Sequence, residues 1–269
     1  MATPELIRKH YDSLALIYRA FWGDHIHHGL FESGKETPPQ AQTALLRYCL
    51  ELLRPAAGCS VLDVGCGHGG TAAMLASELG AEVLGLTLSE KQARIARENA
   101  RCRGVEKQTT FVVQDAETYA YPVACFDVVW TMESSEHFAH KQRYFQNAAA
   151  ALKPGGRLLL TAWTGSMQRA RVRAVAAAFL CPELWTCEQY RNCISGCGLA
   201  MLHCRDLTAK VVRTWEICRR RARAAALALG FLPKGTQALV EGMDTIADAY
   251  RAGDLSYTVM VAGRATVQD

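Results

Sequence analysis

Hydrophobic positions change their period repeatedly along the chain. Residues 60–64 form a short, largely apolar run, as a strand buried on both faces requires. Comparable runs at 82–87, 110–113, 126–131 and 157–163 read as further strands. Between them, apolar residues recur at helical spacing over 39–53, from the glycine cluster to 79, over 90–102 and over 141–152. Pro154-Gly155-Gly156 then reads as a helix stop followed by a turn. Strand and helix alternate five times, with connections long enough for crossovers, which predicts an α/β fold with a parallel, doubly wound sheet. Strand candidates at 200–204 and 255–263 lie among and after Arg- and Ala-rich helical stretches. No repeat and no flexible linker is visible, so a single domain over 1–269 is expected. Its parts would be N-terminal helices and a lid (1–58), a ligand-binding core (59–164), a cap with a strand insertion (165–252) and a final strand (253–269).

Composition narrows this picture. Half of the 269 residues are hydrophobic and 21% are charged, which excludes wholesale disorder. A net charge of +4 is too mild to make nucleic acid the main partner. No apolar run reaches the roughly 18 residues of a membrane span; the longest, 222–232, carries Arg223. Residues 1–10 lack the apolar segment of a secretory signal, and a cytoplasmic protein is expected. The 11 cysteines include no CxxC pair, so they are expected to be reduced thiols. Cys181, Cys187, Cys193, Cys197 and Cys204 match no familiar ligand spacing, and no metal is expected.

The first strand runs into Gly65-Cys66-Gly67-His68-Gly69-Gly70, directly before a helix. Glycines there let backbone approach a ligand, and the helix start offers unpaired N–H groups. NAD, FAD and S-adenosylmethionine (SAM) binders all use such a turn. Asp63, two positions before the first glycine, discriminates among them. A carboxylate there would repel a pyrophosphate and attract the ammonium of a methionine. The run is also G-x-G-x-G-G rather than the dinucleotide G-x-G-x-x-G. At the end of the second strand, Thr87 takes the position where many SAM enzymes carry an acid for the ribose. Its hydroxyl and Gln92, one turn into the next helix, could both reach the diol. Gln92 could instead close a capping box with Ser89. Asp115 follows the third strand and could accept from an adenine amino group or serve as an ordinary loop carboxylate.

With these residues placed, the chain resembles the gamma-tocopherol methyltransferase-like group of class I SAM methyltransferases. The resemblance spans nearly the whole chain. It is carried by Trp22-Gly23-Asp24-His25-Ile26-His27-His28-Gly29, by Asp63-Val64-Gly65-Cys66-Gly67, by Leu86-Thr87-Leu88-Ser89, and by the stretch from Phe126-Asp127 through Met132-Glu133-Ser134-Ser135-Glu136-His137. It implies a Rossmann-like seven-stranded sheet with a helical cap, SAM as cofactor, and a small-molecule acceptor. It also implies that Tyr11, Gly65, Gly67, Thr87, Gln92, Ala116 and Met132 contact SAM. Two positions depart from the family pattern: Leu207 stands where a tryptophan is expected and His140 where an acid is expected. Both are expected at the acceptor pocket or its rim.

Methyl transfer needs an acceptor held in line with the methyl and a route for its proton. Glu133, Glu136 and His137 lie just past the fourth strand, where open α/β sheets bind ligands, and are the expected catalytic residues. Trp22, His27 and His28 are expected to line the substrate pocket. Adjacent histidines in extended chain point in different directions, so His25, His27 and His28 are not read as a metal site. Arg219 to Arg223 reads as a solvated helix face, with an anionic substrate group or a membrane surface as alternatives. The expected acceptor is an aromatic or cyclic metabolite methylated at carbon or nitrogen. An aliphatic amine or alkene acceptor, a catalytically silent SAM-binding protein and an NAD-dependent oxidoreductase are the competing readings.

Overall fold

The strand β1 (Ser60–Val64) lies between β2 (Glu82–Thr87) and β4 (Phe126–Met132) and is parallel to both. The computed structural model describes residues 3–229 and 236–266. Their sheet has seven strands in the order β3-β2-β1-β4-β5-β7-β6, with β3 at Thr109–Val113, β5 at Leu152–Gly165, β6 at Leu199–Asp206 and β7 at Leu255–Arg264. The first five strands are parallel, as the alternating pattern predicts. The sheet is mixed, however, because β7 runs antiparallel between β5 and β6. The chain leaves β1 toward β2 and later returns on the opposite side as β4, so a crevice opens beyond their carboxyl ends.

The helices are α1 (Pro4–Trp22), α2 (Pro38–Leu53), α3 (Gly70–Leu79), α4 (Glu90–Cys102), α5 (Lys141–Ala151), α6 (Ala170–Ala178), α7 (Cys187–Gly196), α8 (Thr208–Val211), α9 (Arg213–Leu229) and α10 (Thr236–Arg251). Alternate strand residues serve two hydrophobic layers, one on each face. Val128, Trp130, Leu159, Val259 and Val261 join Leu45, Leu46 and Cys49 of α2, the alanines of α3 and Ile246 of α10. Leu62, Val129, Leu158, Leu160 and Met260 join Tyr144 and Phe145 of α5 and Tyr190 of α7. Local sequence sets the helix ends. Thr3 Oγ1 accepts from Leu6 N at 3.3 Å to start α1, and Thr37 with Gln40 forms a capping box on α2.

One boundary differs from the sequence reading. Pro154-Gly155-Gly156 is carried inside β5 instead of preceding it: Phe126 pairs with Leu152 and Val128 with Arg157, so the extra residues form an irregularity in the ladder. Tight turns and strand irregularities use the same residue types, which is why the local signal misleads. The apolar run 222–232 falls partly outside the described residues. No described helix is long and apolar enough to cross a membrane.

Candidate active site

The glycine turn shapes the mouth of the crevice. Gly65 takes φ 78°, and a Cβ there would collide with the Ser134 side chain, which itself donates to Val64 O at 2.7 Å. The turn after β1 and the turn after β4 are thereby closed against each other, a contact that only glycine permits. Beyond them lies a cleft with about 1020 Å³ of open space. All nine residues expected at the cofactor border it: Tyr11, Asp63, Gly65, Gly67, Thr87, Gln92, Asp115, Ala116 and Met132.

Asp63 is buried, its Oδ2 lacks a hydrogen-bond partner among the described residues, and burial pushes its carboxyl up to about 7. His25 Nδ1, His27 Nε2 and His68 Nε2 are likewise buried and unpartnered. Four of the eight such atoms among the described residues thus belong to residues bordering this cleft. Buried polar atoms are normally paired, so their concentration here points to a polar ligand. Thr87 Oγ1 donates to Gln92 Oε1 at 2.8 Å, while Ser89 Oγ accepts from Gln92 N at 3.0 Å. Ser89 therefore caps α4, but the Gln92 side chain turns to Thr87 and leaves the capping box half made. Asp115 Oδ1 accepts from Glu117 N at 2.9 Å, a turn of its own beside the cleft.

At the end of β4, Glu133 sits at φ 48° with its carboxylate buried. Oε1 accepts from His28 N at 2.8 Å and from Tyr257 OH at 2.8 Å. Oε2 accepts from His28 Nδ1 at 2.8 Å and Trp163 Nε1 at 3.2 Å. Burial opposes its charge, but His28 and the donors around it outweigh that cost and hold the carboxyl at about 2. His28 is fixed on its other side, where Trp215 Nε1 donates to its Nε2 at 2.7 Å.

Glu136 and His137 border an inner pocket with about 540 Å³ of open space behind the cleft. The two spaces share Tyr11, Ile26, His27, Glu133 and His137. Glu136 Oε1 accepts from Trp163 N at 2.7 Å, and burial raises its carboxyl to about 8. His137 Nε2 lies 2.8 Å from Tyr11 OH, and burial lowers the ring to about 4. His28 reaches the inner pocket and His27 borders both spaces. Trp22 closes α1, and its side chain lies outside the described residues.

The two family departures are not where the sequence reading placed them. Leu207 is buried in the core, and His140 is exposed at the start of α5; neither borders the cleft or the inner pocket. Sequence reasoning also missed Trp163, Phe179 and Trp215, the aromatic wall of the inner pocket. They come from β5, the end of α6 and α9, and no local pattern joins such distant residues. Within the basic run, Arg219 and Arg223 both pair with Asp244, each at 3.3 Å.

The sequence profile of the mycolic acid cyclopropane synthetase family matches residues 2–226. Among individual proteins, the chloroplastic tocopherol O-methyltransferase of Arabidopsis thaliana is 27% identical over 279 residues, covering 94% of this chain and 80% of that protein. The 27-O-demethylrifamycin SV methyltransferase of Amycolatopsis mediterranei is 37% identical over 158 residues, 59% of this chain and 58% of the relative. In three dimensions, mycolic acid cyclopropane synthase CmaA1, solved with SAH and CTAB, superposes with a TM-score of 0.85 at 21% identity, covering 96% of this chain and 97% of that one. With the profile spanning most of the chain and the glycine cleft set in the matching fold, the protein belongs to the mycolic acid cyclopropane synthetase family.

Proposed function

We propose that this enzyme, a SAM-dependent methyltransferase, methylates a small aromatic or cyclic metabolite at carbon or nitrogen. The observation that carries the acceptor reading is the inner pocket, walled by Trp163, Phe179 and Trp215 and continuous in its lining with the cleft. Stacked or edge-on aromatic walls favour a flat, largely apolar acceptor. The cap residues 165–252 supply part of that wall, in keeping with a cap that selects the acceptor.

The cleft's own residues fit SAM. The buried Asp63 carboxyl, whose Oδ2 has no hydrogen-bond partner among the described residues, suits an ammonium. The Thr87–Gln92 pair suits a ribose diol, and Asp115 with Ala116 suits the adenine. When bound, SAM supplies an activated methyl group. The protein's task is then to position the acceptor and manage its proton.

The expected catalytic side chains divide by environment. Glu133, with four donors on its two oxygens, serves as the anchor that fixes His28, Trp163 and Tyr257 around the inner pocket. Glu136, raised to about 8 by burial, is a neutral acid at physiological pH and orients the acceptor by hydrogen bonding. His137 holds Tyr11 of α1 across the cleft. Reaction of the purified protein with methyl-labelled SAM and a panel of phenols, indoles, amines and alkenes, read by product mass and methyl position, tests this proposal. Transfer only to aliphatic amines or alkenes would overturn the acceptor class. SAM binding without transfer to any member would favour the silent binding protein.

A further inference from the structure

We propose that His27 Nε2 is the atom that receives the acceptor's proton during methyl transfer. This inference rests on the methyltransferase reading and deepens it. His27 Nδ1 lies 2.7 Å from the backbone carbonyl oxygen of His28. A carbonyl only accepts, so Nδ1 carries the hydrogen, and the neutral ring presents a bare lone pair on Nε2. That nitrogen is buried and has no partner among the described residues. Its residue borders both the cofactor cleft and the inner pocket, the two spaces between which a methyl group must pass.

The other titratable groups common to both spaces are committed. The Glu133 oxygens hold four protein donors, and His137 Nε2 faces the Tyr11 hydroxyl. Glu136 borders the inner pocket alone and takes the Trp163 N–H. Burial lowers the His27 ring from its ordinary range, which favours the neutral form with its open lone pair. The groups that face it are Glu133 and the His28 carbonyl, which favour its protonated form, and the His28 ring, which opposes it; the His25 ring lies 5.2 Å away. For an amine the nitrogen lone pair, and for a phenol a ring carbon activated by its hydroxyl, forms the new bond to the methyl carbon. The carbon–sulfur bond breaks with its electron pair remaining on sulfur. The acceptor's proton passes to His27 Nε2, and the positive charge lost from sulfur reappears on the imidazolium beside Glu133.

The test uses the full-length protein with isotope-labelled histidine, loaded with S-adenosylhomocysteine, and phenol as the probe of the inner pocket. His27→Asn assigns the signals, because its amide keeps a donor for the His28 carbonyl while deleting Nε2. Ring-nitrogen NMR is expected to show hydrogen on Nδ1, and an Nε2 resonance that shifts when phenol is added. Hydrogen on Nε2, or no shift at saturating phenol, overturns the proposal. His27→Asn is further expected to slow methyl transfer to phenol by about 10²–10⁴-fold, the usual range for a lost general base, with partial rescue by added imidazole. Equal rates in the two proteins overturn it. Failure of the parent protein to bind S-adenosylhomocysteine would instead sink the methyltransferase reading, which keeps the two failures apart.

Discussion

The hydroxyl of Tyr11 lies 2.8 Å from Nε2 of His137, tying the first helix to the turn after β4 beside the glycine cleft. The same helix is held to α4 by Ser89 Oγ donating to Asp12 at 2.5 Å and by the Arg19–Glu98 pair at 3.2 Å. Pro4, Ile7 and Tyr11 of this helix border the cleft, so a ligand there would lie against it. Tyr11→Phe keeps the ring and removes the hydrogen bond. It is expected to weaken S-adenosylhomocysteine binding roughly 3- to 10-fold, the value of one part-buried hydrogen bond. Titration calorimetry on the two proteins checks this, and equal affinity would mean the helix does not retain the ligand.

Asp63 predicts a pH dependence of cofactor binding. Burial raises its carboxyl from an ordinary 3.8 to about 7, so below that value the empty site holds a neutral acid. An ammonium favours the ionised form and would pull the pKa down on binding. Affinity for S-adenosylhomocysteine should therefore rise with pH up to about 7 and fall by up to about tenfold per unit below it. Asp63→Asn should bind more weakly at neutral pH and lose the slope. An unchanged slope in that variant would remove Asp63 from the ammonium site.

Glu133 predicts a stability loss. Gln supplies one acceptor oxygen where four donors converge, so Glu133→Gln leaves N–H groups facing an amide N–H. The expected cost is roughly 3–5 kcal/mol, as for other buried charge networks broken on one side. The pH window follows from the depressed carboxyl, which moves from an ordinary 4.5 to about 2 on folding. Its contribution is full above about 4.5 and is lost as pH falls through about 2. Urea unfolding of parent and variant at pH 7 and in acid reads both effects; coincident curves would show that the network does not support the fold.

Glu136 predicts the opposite sign. Its carboxyl rises on folding from 4.5 to about 8, so it favours the folded state fully at low pH and does so less as pH rises through that window. Glu136→Gln mimics the neutral acid at every pH. It should melt with the parent below about pH 5 and above it at pH 8, by scanning fluorimetry. A variant that melts lower than the parent at pH 8 would mean that the carboxylate is ionised and stabilising in the pocket.

The strand–helix alternation and the glycine end of the cleft were legible because they are local. Ser60–Val64, the glycines after it and the start of α3 are contiguous, and each of their properties follows from near neighbours. Thr87 and Gln92 are five residues apart on one strand–helix turn, so their meeting could be read before the fold was seen. The antiparallel β7 was not legible, because a strand's own residues carry no sign of the direction of its neighbours. Pro154-Gly155-Gly156 misled for a related reason: its chemistry suits a turn, and only the pairing of Leu152 and Arg157 on either side of it with β4 carries it within a strand.

The chain by itself thus determined the α/β class, the position of the glycine crevice and nine of the residues that border it, since parallel strands place their carboxyl ends on one edge. Tertiary structure alone decided what each acid and base there can do. Glu133, Glu136 and His137 stand within five positions of sequence, yet His28 and Tyr257 hold the first as an ionised anchor, burial keeps the second protonated, and Tyr11 occupies the third. Protonation state and free lone pairs depend on desolvation and on partners more than a hundred residues away in the chain, and those are brought together only when the sheet, α1 and the cap close around one pocket.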